Sequence, residues 1–253
     1  TYNGEGADDV LVDGPGVDVL VGGLGFDWVT YRDDPSPVDA DLLRGALVVL
    51  PPGTTFDTYA QVEGVSGGPL NDVIRGDNTT VTTLVGNELR NPGLIAGLAA
   101  ELRNAATFAA GNILLGGGGS DTLEGRGGND IVDGDGYLSV RISVRSGGVE
   151  IASASSLAEL QAAVLGRQYS TLQFVVVREL LAPADPWVDT DTVVFSDVRA
   201  NYTVTRLTDE RNAWTVSHLN GTGTDGVDTV RNVERLRFTD QTVDRKSTRL
   251  NSS

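Results

Sequence analysis

Asp9, Asp18 and Asp27 stand nine residues apart, and so do Asp121 and Asp130. Two places after each comes an apolar residue: Leu11, Leu20, Val29, Leu123 and Val132. The nine-residue units are Gly4–Val12 (GEGADDVLV), Asp13–Val21 (DGPGVDVLV), Gly22–Thr30 (GGLGFDWVT), Gly116–Glu124 (GGGGSDTLE) and Gly125–Asp133 (GRGGNDIVD). Gly67–Arg75 (GGPLNDVIR) has Asp72 and Ile74 in place but Leu70 where glycine is expected. Thr107–Leu115 keeps the register loosely with Asn112 and Leu114. A carboxylate at the sixth place of a glycine-rich nine is oxygen chemistry. Glycine permits the positive φ that lets a short turn aim its carbonyl oxygens inward. Aspartate adds an anionic oxygen, and Ca²⁺ takes about six to eight oxygens at flexible geometry. The candidate ligands are Asp9, Asp18, Asp27, Asp72, Asn112, Asp121 and Asp130, in turns shaped by Gly22, Gly25, Gly116, Gly118, Gly125 and Gly127. On this reading Asp9 and Asp27 share one ion, Asn112 faces Asp130 across another, and Asp121 finds its partners on the opposite edge.

Such a unit needs a turn of six residues and a strand of three whose apolar member faces inward. Two units complete one circuit, so units two apart stack on the same side; this is the pattern of a parallel β-roll. The expected fold is mainly β: short parallel β-roll blocks with small helical insertions and a C-terminal antiparallel β extension. The chain divides into a first repeat block (1–30), a β extension ending in a degenerate unit (31–78), a helical insertion (79–106) and a second repeat block (107–136). A hairpin-and-helix insertion (137–186) and an antiparallel β extension (187–243) follow. In the third segment, Pro92–Thr107 places Leu94, Ile95, Leu98 and Leu102 on one helical face behind Asn91. Strands are expected at VTYRDD, VDADLL and ALVVL, broken by Pro35, Pro37 and Pro51-Pro52-Gly53. Tyr137–Arg145 alternates with period two and returns over Val149–Ala154; Leu157–Leu165 reads as a short helix stopped by Gly166. Tyr169–Leu181 suits a strand in its middle and a helix at its ends. An internal echo links two stretches: Asp57-Thr58 leads to Val62-Glu63, and Asp228-Thr229 leads to Val233-Glu234. Both read as one strand-extension unit used twice.

The 253 residues carry 19 basic and 35 acidic side chains, a net charge of −16. That balance argues against nucleic acid or an anionic membrane as a partner, because both require basic surface. With no cysteine there is no disulfide framework. No apolar run approaches the ~18 residues of a membrane-spanning helix. Asp244–Ser253 (DRKSTRLNSS) reads as a common short-read sequencing adapter translated in one frame, and Lys246 is the one lysine of the chain. The expected natural sequence therefore runs beyond Val243 in another way. Without the tail, 16 basic residues face 34 acidic ones, a net charge of −18. His218 is the one histidine, on an alternating strand with polar neighbours, and reads as a surface residue without a role. Asp33-Asp34 reads as solvated loop charge rather than an acid–base pair.

The units resemble the RTX (repeats-in-toxin) repeats of large bacterial proteins exported by type I secretion. The stretch VRNVERLRFTDQTV, together with 31–66 and 137–181, is similar to repeat regions attached to animal-type haem peroxidase domains. The resemblance spans most of residues 1–243. It implies Ca²⁺-dependent folding outside the cell and type I secretion machinery as a partner of the full-length parent; with His218 alone the residues themselves offer no proximal-histidine pattern, so no catalytic residue is expected in this segment. Three alternatives stand beside it: a non-catalytic part of a secreted haem peroxidase or hydrolase, an extracellular adhesion or interaction module, and a bare structural solenoid that binds no metal.

Overall fold

Outside the Asp13–Val21 unit, whose Leu20 lies in the longer strand Val19–Leu24, the apolar eighth residue of a repeat occupies the middle of a three-residue strand, where alternation turns it inward and its two neighbours outward. In the computed structural model, described for residues 1–45, 56–182, 189–208, 210, 212–221 and 225–245, these three-residue strands are divided between two sheets. The first sheet joins Val10–Val12, Trp28–Thr30, Gly64–Ser66, Ile113–Leu115, Ile131–Asp133 and Val227–Arg231, each parallel to the next. The second joins Asp39–Asp41, Val73–Arg75, Thr122–Glu124, Thr192–Val194 and Arg235–Arg237 in the same sense, and Thr242–Asp244 ends it antiparallel. A smaller parallel sheet joins Tyr2–Gly6, Val19–Leu24 and Thr58–Ala60. The fold is thus mainly β, with mostly parallel strands and few helices.

The register stacks the eighth residues into columns. Leu11, Val29, Val65, Leu114, Val132 and Val230 are successive neighbours in the first sheet; Ala40, Ile74, Leu123, Val193 and Leu236 are so in the second. Together with Leu20 and Tyr59 they form the main core, with Leu11 packed at its margin. The two repeat blocks are continuous, because Gly64–Ser66 bridges Trp28–Thr30 to Ile113–Leu115.

The outward residues differ between sheets. On the first, Trp28, Ile113, Leu115 and Ile131 are apolar and are covered by Leu89, Ile95, Leu98, Leu102 and Leu138. On the second, charges face out, and Arg75 pairs with Asp39 at 2.6 Å, Arg126 with Asp41 at 2.6 Å.

Inside the 137–186 segment, Tyr137–Ser146 is the centre of an antiparallel sheet between Val149–Ala154 and Phe174–Leu181. The helix Leu157–Leu165 connects two of these strands. Of the ambiguous 169–181 stretch, Thr171–Gln173 is a 3-10 turn and Phe174–Leu181 is a strand, with its partner deciding the matter.

Three expectations need correction. The 92–107 helix is only a 3-10 turn, Pro92–Leu94, and a single α-turn, Leu98–Glu101. Gly97 at φ 91° interrupts the helical path, and Leu94 is exposed while Ile95, Leu98 and Leu102 are buried. The 187–243 extension is antiparallel through Tyr202–Arg206, Ala213–His218 and Val227–Arg231 and at Thr242–Asp244 against Arg235–Arg237, but not throughout. Thr192–Val194, Val227–Arg231 and Arg235–Arg237 continue the parallel sheets because each carries the same inward apolar residue. His218 is not a surface residue. Pairing opposite Tyr202 stacks the two rings at 4.2 Å and brings Nε2 within 3.2 Å of Asp197 Oδ2. Asp244 closes the last strand and Arg245 lies over the Trp214 ring, while 246–253, the ALVVL stretch and Pro183 and Pro186 fall outside the described residues.

Candidate metal centre

The sixth residue of each unit sits where its turn meets its strand. There, at all but Asp9, Asp18 and Asn112, one carboxylate oxygen accepts the backbone N–H of the matching residue in the neighbouring turn. In the first series, Asp27 accepts from Asp9 at 2.8 Å, Glu63 from Asp27 at 2.9 Å, Asp130 from Asn112 at 2.7 Å and Asp228 from Asp130 at 2.9 Å. The Asn112 amide links the middle of the series by donating to the Glu63 carbonyl at 3.3 Å. In the second series, Asp72 accepts from Val38 at 2.8 Å, Asp121 from Asp72 at 2.7 Å, Asp191 from Asp121 at 2.8 Å and Glu234 from Asp191 at 2.9 Å. Asp18 stands outside both; its N–H donates to Asp57 at 2.7 Å. Asp9 therefore meets Asp27, Asn112 meets Asp130, and Asp121 lies between Asp72 and Asp191.

The other oxygen is the informative one. Oδ2 of Asp9, Asp27, Asp121, Asp130 and Asp191 is buried without a hydrogen-bond partner among the described residues. Asp72 differs, because its Oδ2 accepts from Gly68 N at 2.7 Å. A Cβ on Gly22 would stand 2.5 Å from Asp27 Oδ2 and 2.0 Å from the Gln61 carbonyl oxygen. On Gly116 it would stand 2.5 Å from Asp121 Oδ2 and 2.3 Å from the Gly134 carbonyl oxygen, and on Gly125 it would stand 2.2 Å from Asp130 Oδ2. The first glycine of a unit thus leaves room for the carboxylate five residues on and for a carbonyl of the next turn. Positive φ is a separate requirement: Gly25 meets it at 131°, while Gly117, Gly119 and Gly128 meet it beside Gly118 and Gly127.

Burial pushes Asp121 and Asp130 up to about 8, Glu63 to about 8, Asp191 to about 7 and Asp27 to about 6, with neighbouring carboxylates adding repulsion. A carboxylate oxygen taken from water without a donor is costly, so a proton or a cation is needed to complete it.

A tighter cluster lies at the end of the second block. Oxygens of Asp135, Asp189 and Asp191 all fall within 4.8 Å of one another. Asp135 is 1% exposed, and neither of its carboxylate oxygens has a hydrogen-bond partner among the described residues. Burial pushes it up to about 8, and Asp191, Asp133 and Asp189 repel it further. Asp189 Oδ2 accepts from Gly119 N at 3.0 Å.

Sequence reading missed Asp135, Asp189 and Asp191 because their unit is split. Gly134-Asp135-Gly136 opens it and Asp189–Val194 completes it, with the insertion between. A Cβ on Gly134 would stand 2.4 Å from Asp191 Oδ2, the same relation as Gly116 has to Asp121. Thr192 and Val193 pair with Thr122 and Leu123 in step. Gly76 and Asn112 form another split unit, 2.5 Å separating the would-be Cβ from Asn112 Oδ1. The legible signal was Asp191-Thr192-Val193, an aspartate two places before an apolar residue. Glu63 and Glu234 mark a third variation. Their turns are cut short at Gln61 and Asn232, which take φ 53° and 47°, and the extra methylene of glutamate reaches the N–H that aspartate reaches elsewhere.

No protein-family model and no curated protein matches the chain. The site's own chemistry is carboxylate and carbonyl oxygen, a donor set for hard cations such as Ca²⁺, Mg²⁺ or Mn²⁺.

Proposed function

We propose that this chain is a Ca²⁺-binding repeat region of a secreted bacterial protein, a parallel β-roll of the RTX kind that folds on Ca²⁺ after type I secretion. The observation that carries the reading is the row of buried carboxylate oxygens without partners at Asp9, Asp27, Asp121, Asp130 and Asp191, each at the sixth place of a unit. These oxygens, with turn carbonyls beside them, would hold Ca²⁺, which supplies the positive charge the columns lack. Ca²⁺ suits them better than Mg²⁺, which holds its waters and demands octahedral geometry. In low cytosolic Ca²⁺ the carboxylates repel and the glycine-rich turns stay open, which suits passage through an exporter. Outside, binding free energy becomes folding free energy. Extracellular calcium modules work at about 10⁻⁴–10⁻³ M. The segment itself has a binding role and no catalytic one; a peroxidase or hydrolase activity would belong to another part of the parent.

The test is a far-UV circular dichroism titration of the full chain with CaCl₂, beside a Mg²⁺ control and an Asp121→Asn/Asp130→Asn variant. The expected result is β signal that grows at sub-millimolar to millimolar Ca²⁺ and is blunted in the variant. A chain equally folded in EDTA and indifferent to Ca²⁺ would overturn the reading.

A further inference from the structure

We propose that Asp135, Asp189 and Asp191 form a divalent-cation clasp that fastens the two ends of the 137–188 insertion to the repeat turns. Two of the three ligating residues come from opposite sides of the insertion: Asp135 lies just before Tyr137–Ser146, and Asp189 lies after Phe174–Leu181. Those two strands pair directly at the base, Tyr137 against Leu181. Closing a loop of some fifty residues costs chain entropy. Three carboxylates at its neck add repulsion, and a shared cation removes the repulsion and offsets the closure.

The composition of this turn sets it apart. In Gly116–Asp121 (GGGGSD) the sixth place alone carries a carboxylate. Here the second, fourth and sixth places all do, as Asp135, Asp189 and Asp191. Their oxygens lie within 4.8 Å of one another. The independent sign of a ligand is the burial. Asp135 is 1% exposed and Asp191 is fully buried, and Oδ1 and Oδ2 of Asp135 and Oδ2 of Asp191 lack partners among the described residues. Asp133 is a positioning residue rather than a ligand. Its Oδ1 accepts from Asp135 N at 3.0 Å, Gly136 N at 2.9 Å and Asn232 Nδ2 at 3.0 Å, which fixes the backbone of the turn that presents Asp135. Oxygen ligands without nitrogen or sulfur select a hard cation, and Ca²⁺ accepts the irregular geometry of three carboxylates that octahedral Mg²⁺ resists.

The inference extends the Ca²⁺ reading to a site of different make-up, and one experiment separates the two. Calcium bound per full-length chain is counted by equilibrium dialysis against CaCl₂ for the parent, Asp135→Asn/Asp189→Asn and Asp27→Asn/Asp130→Asn. Hydrogen exchange of residues 137–141 and 177–181 is followed with and without Ca²⁺. The clasp variant is expected to bind one ion fewer, and Ca²⁺ should no longer give the slowing of exchange at the insertion base, on the order of tenfold, that is expected of the parent. Asp27→Asn/Asp130→Asn should lose other ions and keep that protection. Asparagine is isosteric and relieves like-charge repulsion, and the single Asp189→Asn, at a half-buried position, repeats the count with the least disturbance. An unchanged ion count, or a lost ion with protection intact, overturns the clasp. If only the clasp variant loses calcium, the clasp stands and the repeat reading falls. If the parent binds none, both fall.

Discussion

The sixth and eighth places of the repeat lie two residues apart and are buried alike, yet they are completed in opposite ways. Val29, Leu114, Leu123 and Val132 pack against one another and against the facing column. Asp27, Asp121 and Asp130 are as deeply enclosed, and each keeps one oxygen without a partner among the described residues. The apolar column is finished by folding alone. The acidic column is finished only by what the solution supplies. One short sequence unit therefore combines a constant contribution to stability with a conditional one, and the two can be separated by experiment.

The largest effect should come from the constant part. Leu123→Ala removes a fully buried side chain at the centre of the second column and should cost about 2–5 kcal/mol in urea denaturation. The loss should be the same at saturating Ca²⁺ and at the lowest Ca²⁺ that still folds the chain; a loss that depends on Ca²⁺ would break the separation of the columns. Next comes proton linkage in EDTA. Folded carboxyls at Asp121, Asp130 and Asp135 bind their proton more tightly than unfolded ones, since burial pushes each to about 8. Their contribution is complete below the ordinary carboxyl range near pH 4 and is lost as pH rises through about 8. The β signal without metal, weak at pH 8.5, should grow as the pH falls to 5.5 and protons take the cation's place. With Ca²⁺ present the slope should reverse, because protons then compete with the ion; the same slope in both conditions would sink the link between these groups and the cation. The smallest effect belongs outside both columns. Arg235 is exposed on the charged outer face, and Arg235→Ala should shift stability by less than about 0.5 kcal/mol with or without Ca²⁺.

What the sequence made legible follows the unbroken unit. Asp9, Asp27, Asp121 and Asp130 could be placed because glycine, carboxylate and apolar residue recur at fixed spacing. Asp135 and Asp189 could not, since their unit reads as a whole only after the intervening segment is folded out of the way. The echo ending in Val62-Glu63 and Val233-Glu234 was visible, but that glutamate replaces aspartate because a turn has shortened is a fact of reach, settled by Gln61 and Asn232 in the left-handed region. The 92–107 segment had a helical spacing of leucines, yet Gly97 and the covered face of the first sheet decided its path. His218 looked solvated from its sequence neighbours, whereas its cross-strand neighbour Tyr202 determines its surroundings.

In the split units, the long interruptions enter at a turn, between Gly76 and Asn112 or between Gly134 and Asp191, and the three-residue strands stay intact. Lengthening the chain there leaves both columns and their register untouched. Such a frame lets evolution, or a protein engineer, exchange whole segments as cargo: the host's stacking rules are blind to what is carried outside them, so new surfaces can be gained without rewriting the interior.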